Sequence, residues 1–220
     1  MASAHHAQKS SAIYTPLILK LYDWWVLGVS NRFAWECPTH QILLPFFARH
    51  TSTRHLDVGV GTGFYPANTE FPAHAEITLL DLNRNSLEAA GARIPHMKTQ
   101  RVQHDIMQPL PQQIEFDSIS LFYLLHCLPG KFSEKEKAIA NLKQKLSPSG
   151  ILYGATILGE EANHNRFGKK LMKIYNQKGI FGNQADTMQE LKFILEKHFK
   201  EVDVQRHGKV ALFRGKGLHA

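Results

Sequence analysis

The stretch from residue 56 to residue 65 combines residue types and a spacing that are suited to binding a polar ligand. It reads Leu-Asp-Val-Gly-Val-Gly-Thr-Gly-Phe-Tyr, so that Gly59, Gly61 and Gly63 follow a short apolar run at alternate positions. Because glycine has no Cβ, it adopts positive φ without strain and lets a ligand approach the main chain closely. The pattern predicts a strand that ends in a sharp turn with accessible backbone amides.

Two carboxylates accompany the glycines. Asp57 lies at the end of the first predicted strand, and Asp81 ends a second apolar run, residues 77–80. In a right-handed βαβ unit, the loop after the first strand holds a polar ligand, and an acid at the end of the second, about 20 residues on, binds ribose hydroxyls. A simple tight turn is the alternative interpretation of the glycines.

The spacing differs from the Gly-X-Gly-X-X-Gly of a dinucleotide site, which argues against a nicotinamide oxidoreductase. The sequence Asp-Val-Gly-Val-Gly-Thr-Gly instead resembles the first motif of the class I S-adenosylmethionine-dependent methyltransferases, and the resemblance runs from about Thr53 to about Phe213. It implies that the chain binds S-adenosyl-L-methionine, with the glycine loop facing the amino-acid end of the cofactor. Asp81 then matches the ribose-binding acid, and residues 104–106 match the segment beside adenine.

The resemblance implies a set of cofactor-binding residues in the N-terminal segment and at the ends of the first four strands. Asp57 is expected to hold the ammonium group of the cofactor, or else only loop amides, and Asp105 to accept from the adenine amine, although an acid at a strand end is often a helix cap. The expected cofactor-binding residues are Tyr22, Asp57, Gly59, Gly61, Gly63, Asp81, Leu82, Asp105, Ile106 and Phe122.

Methyl transfer from a sulfonium needs placement more than a nucleophile, because the methyl group is already electrophilic. A general base helps when the acceptor is a hydroxyl or an amine, and histidine is suited to that role near neutral pH. We expect His126, in the loop after the fourth strand, to be the base, with His164 in a later insertion as the second candidate. The alternatives are a surface or capping histidine at 126 and a loop histidine without a role at 164. No metal-ligand spacing occurs.

Alternating short strands and helices predict a doubly wound, mostly parallel α/β sheet. The resemblance implies seven strands, including a terminal antiparallel hairpin strand, and an N-terminal helical lid. The predicted strands are 55–58, 76–81, 98–103, 118–123 and 151–157, followed by a hairpin of 202–204 and 210–213. The predicted helices are 41–50, a short piece starting at Pro66, 86–93, 133–146, 166–176 and 187–198, with a turn at 147–150 and a capping box formed by Ser133 and Glu136.

The chain is predicted to be a single domain with an attached cap. Residues 1–50 are predicted to form a helical cap or lid, which is rich in aromatic side chains and contains a helix that starts near Pro16. Residues 51–220 are predicted to form the methyltransferase core, with an insertion at about 158–186. An amphipathic helix that merely caps the sheet is the alternative interpretation of the aromatic segment.

Composition limits the functional classes. The 220 residues carry a formal net charge of +7, but basic residues 166–178 alternate with apolar ones as on a solvated amphipathic helix, so nucleic acid is not the expected partner. Two cysteines far apart and the absence of a signal-like or membrane-spanning segment predict a cytoplasmic protein.

The sequence thus predicts a methyltransferase that acts on a small organic acceptor, such as a secondary metabolite. The aromatic N-terminal segment and the lack of an Asp/Asn-Pro-Pro-Tyr motif after the fourth strand favour a small acceptor. The alternatives are an RNA or protein methyltransferase, and a protein that binds the cofactor but catalyses a rearrangement or regulates a partner. The oligomeric state is not predicted.

Overall fold

The computed structural model describes residues 23–111 and 115–219, which form one seven-stranded sheet with helices on both faces. The strands are β1 Arg54–Val58, β2 Glu76–Asp81, β3 Lys98–Gln103, β4 Phe116–Phe122, β5 Leu146–Ile157, β6 Phe199–His207 and β7 Val210–Leu218. The helices are α1 Asp23–Ala34 and α2 Thr39–Leu43, both of π type, then α3 Leu44–Arg49, α4 Phe64–Ala67, α5 Arg84–Arg93, α6 Phe132–Lys143, α7 Arg166–Gln177 and α8 Met188–His198.

The strand order is β3-β2-β1-β4-β5-β7-β6, with the first five strands parallel and β7 antiparallel to both β5 and β6. This arrangement confirms the predicted doubly wound α/β sheet with a terminal antiparallel hairpin. The order reverses between β1 and β4, and an open α/β sheet binds its ligand beyond the carboxyl ends of the strands at such a reversal. The glycine loop follows β1 at that point.

The two faces of the sheet bury different kinds of side chain. On one face, aliphatic residues of β1 and β4 such as Leu56 and Ile119 pack against α6 and α8. On the other face, α1, α2, α3 and α7 enclose an aromatic cluster around Phe47, Phe122 and Tyr153. Successive strand residues point to opposite faces, so His55, Asp57, Ser118 and Ser120 lie on the aromatic face.

Two local predictions were wrong. Residues 147–150 are not a turn but belong to β5, because the Phe116 N–H donates to the Lys145 carbonyl (2.7 Å) and the register shift between Phe116 and Ser118 accommodates the extra residues. The capping box involves Lys131 and Glu134: α6 begins at Phe132, and the Lys131 N–H donates to Glu134 Oε2 (2.8 Å).

The predicted N-terminal helix is only partly within the described residues. Pro16 and Tyr22 lie outside them, whereas Trp24 and Trp25 belong to α1. Trp25 Nε1 donates to the Tyr175 hydroxyl (3.0 Å), so α1 is held against α7. Within the part of the chain that the structure describes, no helix has the length and apolar character needed to cross a membrane.

Candidate functional site

The glycine loop between β1 and α4 forms the floor of the site. Gly59, Gly61 and Gly63 all have positive φ, at 73°, 53° and 72°. A Cβ on Gly63 would come within 2.6 Å of Ala90 Cα, so this glycine lets the loop pack against α5. A Cβ on Gly61 would meet no atom within 4 Å. The Gly61 backbone therefore borders open space in which a ligand fits.

Asp81 ends β2 beside this loop. Its Oδ1 accepts from the Asn83 N–H (2.8 Å), and its Oδ2 accepts from the Gly61 N–H (3.4 Å). Burial raises the pKa of Asp81 to about 6, against the lowering effect of these backbone donors. A partly buried carboxylate that is fixed by two amides at a strand end is suited to accept hydrogen bonds from two neighbouring hydroxyls.

The main cleft encloses about 820 Å³ of space, part of it open to solvent, along the carboxyl ends of β1, β2 and β4. Asp105, after β3, lines this cleft, and its Oδ1 accepts from the Met107 N–H (2.9 Å), which fixes the carboxylate in a short turn. The predicted cofactor-binding residues that line the cleft are Gly59, Gly61, Asp81, Leu82, Asp105, Ile106 and Phe122.

A second, smaller cavity, with about 380 Å³ of space that is partly open to solvent, borders the glycine loop and α1. It shares Gly59, Gly61, Phe122 and Tyr123 with the main cleft, and Leu27 of α1 forms part of its wall. Tyr123 has φ 61° although it is not glycine, and such strained residues cluster at functional sites. The two cavities therefore meet at the carboxyl ends of β1 and β4.

Asp57 is only 4% exposed and lines the smaller cavity. Its Oδ1 accepts from the Ser120 hydroxyl (2.6 Å). Burial raises the pKa of Asp57 to about 7, the Ser120 hydrogen bond opposes this rise, and the negative charge of Asp81 adds to it. A buried acid with such a pKa is suited to binding a cation, whose charge would favour the ionised form.

The N-terminal helix is attached to the loop through Asp23. Asp23 Oδ1 accepts from the Thr62 hydroxyl (2.6 Å), and Asp23 Oδ2 pairs with Arg93 Nη1 (2.6 Å). These contacts join α1, the glycine loop and α5. The predicted cofactor contact of Tyr22 concerns the residue just before Asp23, which lies outside the described residues.

Both histidines that the sequence offered as bases are buried and engaged in structural contacts. His126 Nδ1 accepts from the Ile157 N–H (3.2 Å), and His164 Nε2 donates to the Leu158 (3.1 Å) and Gly159 (2.9 Å) carbonyls. Burial lowers the pKa of both, that of His126 to about 3. Among the described residues that line the two cavities, neither histidine is present. This geometry disfavours them as bases, and their catalytic roles stay predictions.

Sequence reasoning missed several residues of the walls. Leu124 and Leu128 line the main cleft from the loop after β4, and Ile180 closes it from the insertion. Leu27 and Tyr65 line the smaller cavity. Leu124 and Leu128 directly follow β4, and Tyr65 ends the glycine-rich stretch 56–65, so the places of these three in the sequence were a signal. Leu27 and Ile180 reach the site through tertiary contacts that no local pattern encodes.

Within residues 23–111 and 115–219, no three His, Cys, Asp or Glu side chains are grouped in a way that would hold an ion. Asp57, Asp81 and Asp105 are instead separated along the sheet edge at the ends of β1, β2 and β3.

Comparison with known proteins agrees with this arrangement. The profile of the family described as "Methyltransferase domain" matches residues 56–154, the region from β1 to β5. The YbcY protein of Escherichia coli (strain K12) is 50% identical over 87% of this chain and 99% of its own length. The physcion biosynthesis cluster O-methyltransferase of Aspergillus chevalieri is 37% identical over 94% of each chain.

A solved structure shares the fold. The complex of DhpI with S-adenosylhomocysteine (SAH) superposes with a TM-score of 0.69 at 13% identity, and the match covers 98% of this chain and 99% of that one. In this chain the glycine loop and the acid at the end of β2 both line the main cleft. Because a relative that is 37% identical covers 94% of this chain, the chain belongs to the class I S-adenosylmethionine-dependent methyltransferases.

Proposed function

We propose that this enzyme transfers the methyl group of S-adenosylmethionine to an oxygen atom of a small aromatic molecule, such as a secondary metabolite. The observation that carries the proposal is the smaller cavity, which meets the main cleft at Phe122 and Tyr123 and is walled by Leu27, Phe64 and Tyr65. The aromatic side chains in its wall suit contact with a planar organic acceptor. The O-methyltransferase name of the Aspergillus chevalieri relative supports oxygen as the acceptor atom.

The residues that we propose to hold the cofactor divide between its two ends. Asp81 accepts hydrogen bonds from the ribose hydroxyls, and Asp105, with Leu82 and Ile106 beside it, binds adenine. Gly59 and Gly61 present backbone to the amino-acid end, and Gly63 supports them by packing against α5. Asp57 binds the ammonium group from below the loop.

The bound cofactor supplies an electrophilic methyl group. The protein places the acceptor oxygen in line with it and excludes water, since alignment alone is equivalent to an effective concentration on the order of 10⁵ M or more. Transfer would form a C–O bond to the acceptor and break the C–S bond, whose electron pair would stay on sulfur, and the acceptor proton would be released to bulk solvent. The aromatic walls of the smaller cavity favour the acceptor over bulk solvent.

We also propose that the chain consists of a lid and a catalytic core, and that the protein is cytoplasmic. The N-terminal segment up to residue 50 acts as a lid, a role that the Asp23 contacts with Thr62 and Arg93 support for its described part, and residues 51–220 act as the catalytic core. The insertion at 158–186 covers the main cleft, as the position of Ile180 suggests. Cys37 and Cys127 are both free thiols, in keeping with a reducing cytoplasm.

Calorimetry followed by mass spectrometry tests the proposal. Titration with S-adenosylmethionine and with SAH should give binding, and a panel of phenols and hydroxylated aromatic acids incubated with methyl-labelled cofactor should yield a product that is heavier by one methyl group. An isomerised product with the cofactor unconsumed would indicate a rearrangement instead, and label found in RNA or protein would indicate a macromolecular acceptor. Either result would overturn the small-molecule proposal.

A pair of variants tests the residue assignment. Asp81→Ala should weaken cofactor binding by roughly 1–3 kcal/mol, because hydrogen bonds to the ribose are lost. Glu76→Ala, at the opposite end of the same strand, is exposed and serves as the matched control with unchanged affinity. Equal affinities for the two variants would remove Asp81 from the cofactor site.

A further inference from the structure

A row of polar side chains crosses the aromatic face of the sheet and ends at Asp57. Parallel pairing of β1 with β4 places His55 beside Ser118 and Asp57 beside Ser120. All four side chains are less than 5% exposed and are surrounded by the aromatic cluster. Buried polar groups are costly without partners, and the row satisfies its members by joining them to one another.

The hydrogen bonds in this row have one consistent direction. The Ser52 hydroxyl and N–H both donate to Ser118 Oγ (2.7 and 3.1 Å), which leaves the Ser118 hydroxyl proton to be donated to His55 Nδ1 (2.7 Å). His55 then carries its proton on Nε2 and donates it to Ser120 Oγ (3.2 Å). The Ser120 hydroxyl donates to Asp57 Oδ1 (2.6 Å). Each donor therefore points toward the carboxylate.

His55 acts in this row as a neutral group. Burial lowers the pKa of His55 to about 3, and the Phe47, Phe71 and Tyr153 rings lie around it. A neutral imidazole accepts on one nitrogen and donates on the other, so it passes polarisation from Ser118 to Ser120 without bringing a charge. Hydrogen bonds connected in series strengthen one another in a low-dielectric interior.

We propose that Ser120, supported by His55 and Ser118, is a positioning residue that keeps the Asp57 carboxylate ionised and oriented toward the ammonium group of the cofactor. The inference rests on the proposed cofactor assignment of Asp57. Among the described neighbours of Ser120, which are His55, the Leu56 carbonyl, Tyr153 and Asp57, only Asp57 lines a cavity of the site, so the effect of Ser120 reaches the ligand through that carboxylate. A carboxylate without this donor would take up a proton more readily and lose its attraction for a cation.

Other titratable groups also surround Asp57. Asp81 faces it from β2 and favours its protonated form, and Tyr153 faces it from β5 with a pKa that burial raises well above 10, so Tyr153 stays neutral. His55 is neutral, as argued above, and Tyr65 and Tyr123 share the smaller cavity with Asp57. Ser120 is therefore the neighbour whose removal shifts the ionisation of Asp57 without removing a charge.

The test is the pH dependence of SAH affinity, measured by calorimetry from pH 5.5 to pH 9. Affinity should fall as pH falls through the pKa of Asp57, because the protonated acid cannot pair with a cation. Loss of a hydrogen bond to the charged carboxylate raises its pKa, so Ser120→Ala should move this fall in affinity upward by roughly 1–2 pH units. The affinity of Ser120→Ala for SAH should then be lower than that of the wild type by about tenfold at pH 7 and by less than about twofold at pH 9.

Three variants complete the design. Thr156→Val removes a buried hydroxyl of β5 that takes no part in the row, and it should leave the profile of the wild type unchanged. His55→Leu should shift the profile in the same direction as Ser120→Ala but by less, since Ser120 can still donate. Asp57→Asn should flatten the part of the profile that belongs to Asp57. The titration of the ligand is common to all proteins compared and cancels in the differences.

The outcomes separate the two proposals. No binding of SAH to the wild type at any pH would contradict the cofactor site itself. Normal binding with identical profiles for the wild type and Ser120→Ala would overturn only the role of Ser120. Should Ser120→Ala not fold, nitrogen-15 NMR of His55 in the wild type decides the matter: a proton on Nε2 supports the row, whereas a proton on Nδ1 reverses its direction and refutes it.

Discussion

Replacing Lys135 with methionine tests the electrostatics of a buried ion pair behind the main cleft. Lys135 of α6 is fully buried, and its Nζ donates to Asp186 Oδ2 (2.6 Å) and to the Gly182 carbonyl (2.9 Å). Burial lowers the pKa of Lys135 and raises the pKa of Asp186 to about 6, so for both groups burial outweighs their mutual attraction. The pair joins α6 to the segment that carries Ile180 into the cleft wall.

Lys135→Met leaves the Asp186 carboxylate buried with no cation beside it. Removing one partner of a buried ion pair lowers the free energy of unfolding by about 3–5 kcal/mol. This is a large share of the typical free energy of unfolding of about 5–15 kcal/mol. For a chain of this size the melting temperature should fall by about 6–20 °C. The double variant Lys135→Met/Asp186→Asn removes the charge while keeping the shape, and it should recover much of that loss.

The pH dependence gives the sharper test. The Asp186 carboxyl in Lys135→Met has a folded-state pKa above its unfolded value of 3.8, because the opposing effect of the lysine is gone. A raised acid pKa adds stability that is fully present below the unfolded pKa and is lost as pH rises through the folded pKa. As pH falls from the folded pKa of Asp186 toward its unfolded pKa, the difference in stability between Lys135→Met and the double variant should therefore narrow by about 1.4 kcal/mol per pH unit.

Urea denaturation of the two variants at pH 7.5, 6.5 and 5.5 measures the gap. Because both proteins share every other titrating group, their difference isolates Asp186. A gap that stays constant across this range would refute the reasoning, since it would mean that the cost of Lys135→Met comes from lost packing and not from an unpaired buried charge.

Two further predictions concern the glycine loop and the lid. Gly63→Ala should destabilise the fold more than Gly61→Ala, because its Cβ would meet the Ala90 backbone at 2.6 Å whereas Gly61 has open space, so that Gly61→Ala costs only the roughly 1–2 kcal/mol of a left-handed residue; equal melting temperatures would contradict this. Asp23→Asn should lower stability by less than about 1 kcal/mol, since its ion pair with Arg93 is partly exposed, but should raise hydrogen exchange throughout α1, and 1 M salt should reproduce part of that rise in the wild type alone.

The sequence predicted the parts of the fold that local patterns encode. The bounds of β2 and β3 match the predictions residue for residue, because each is a short run closed by turn residues. The error at residues 147–150 has a different cause. Pro148 and Gly150 indicate a turn locally, yet pairing of Leu146 with Phe116 across a register shift keeps that segment in the sheet.

The candidate site was predictable where its residues are contiguous with a strand end. Gly61, Asp81 and Asp105 reach the cleft for that reason. His126 also follows a strand end, but the direction of a side chain in an irregular loop depends on what packs against it. The ring of His126 packs on Phe181 at 4.5 Å, and its carbonyl accepts from the Gly182 N–H (2.8 Å). The insertion thus encloses the histidine that the sequence placed at the site.

The two acids of the site explain why it suits a cationic ligand. Asp57 and Asp81 are both buried enough to have raised pKa values, and the charge of Asp81 raises that of Asp57 further. Near pH 7 each carboxylate therefore lacks a compensating charge, while amides and the Ser120 hydroxyl supply only partial compensation. A ligand whose positive charge lies beside Asp57 relieves part of that deficit and favours the ionised acid, so we expect binding to release protons, and to release fewer of them as pH rises.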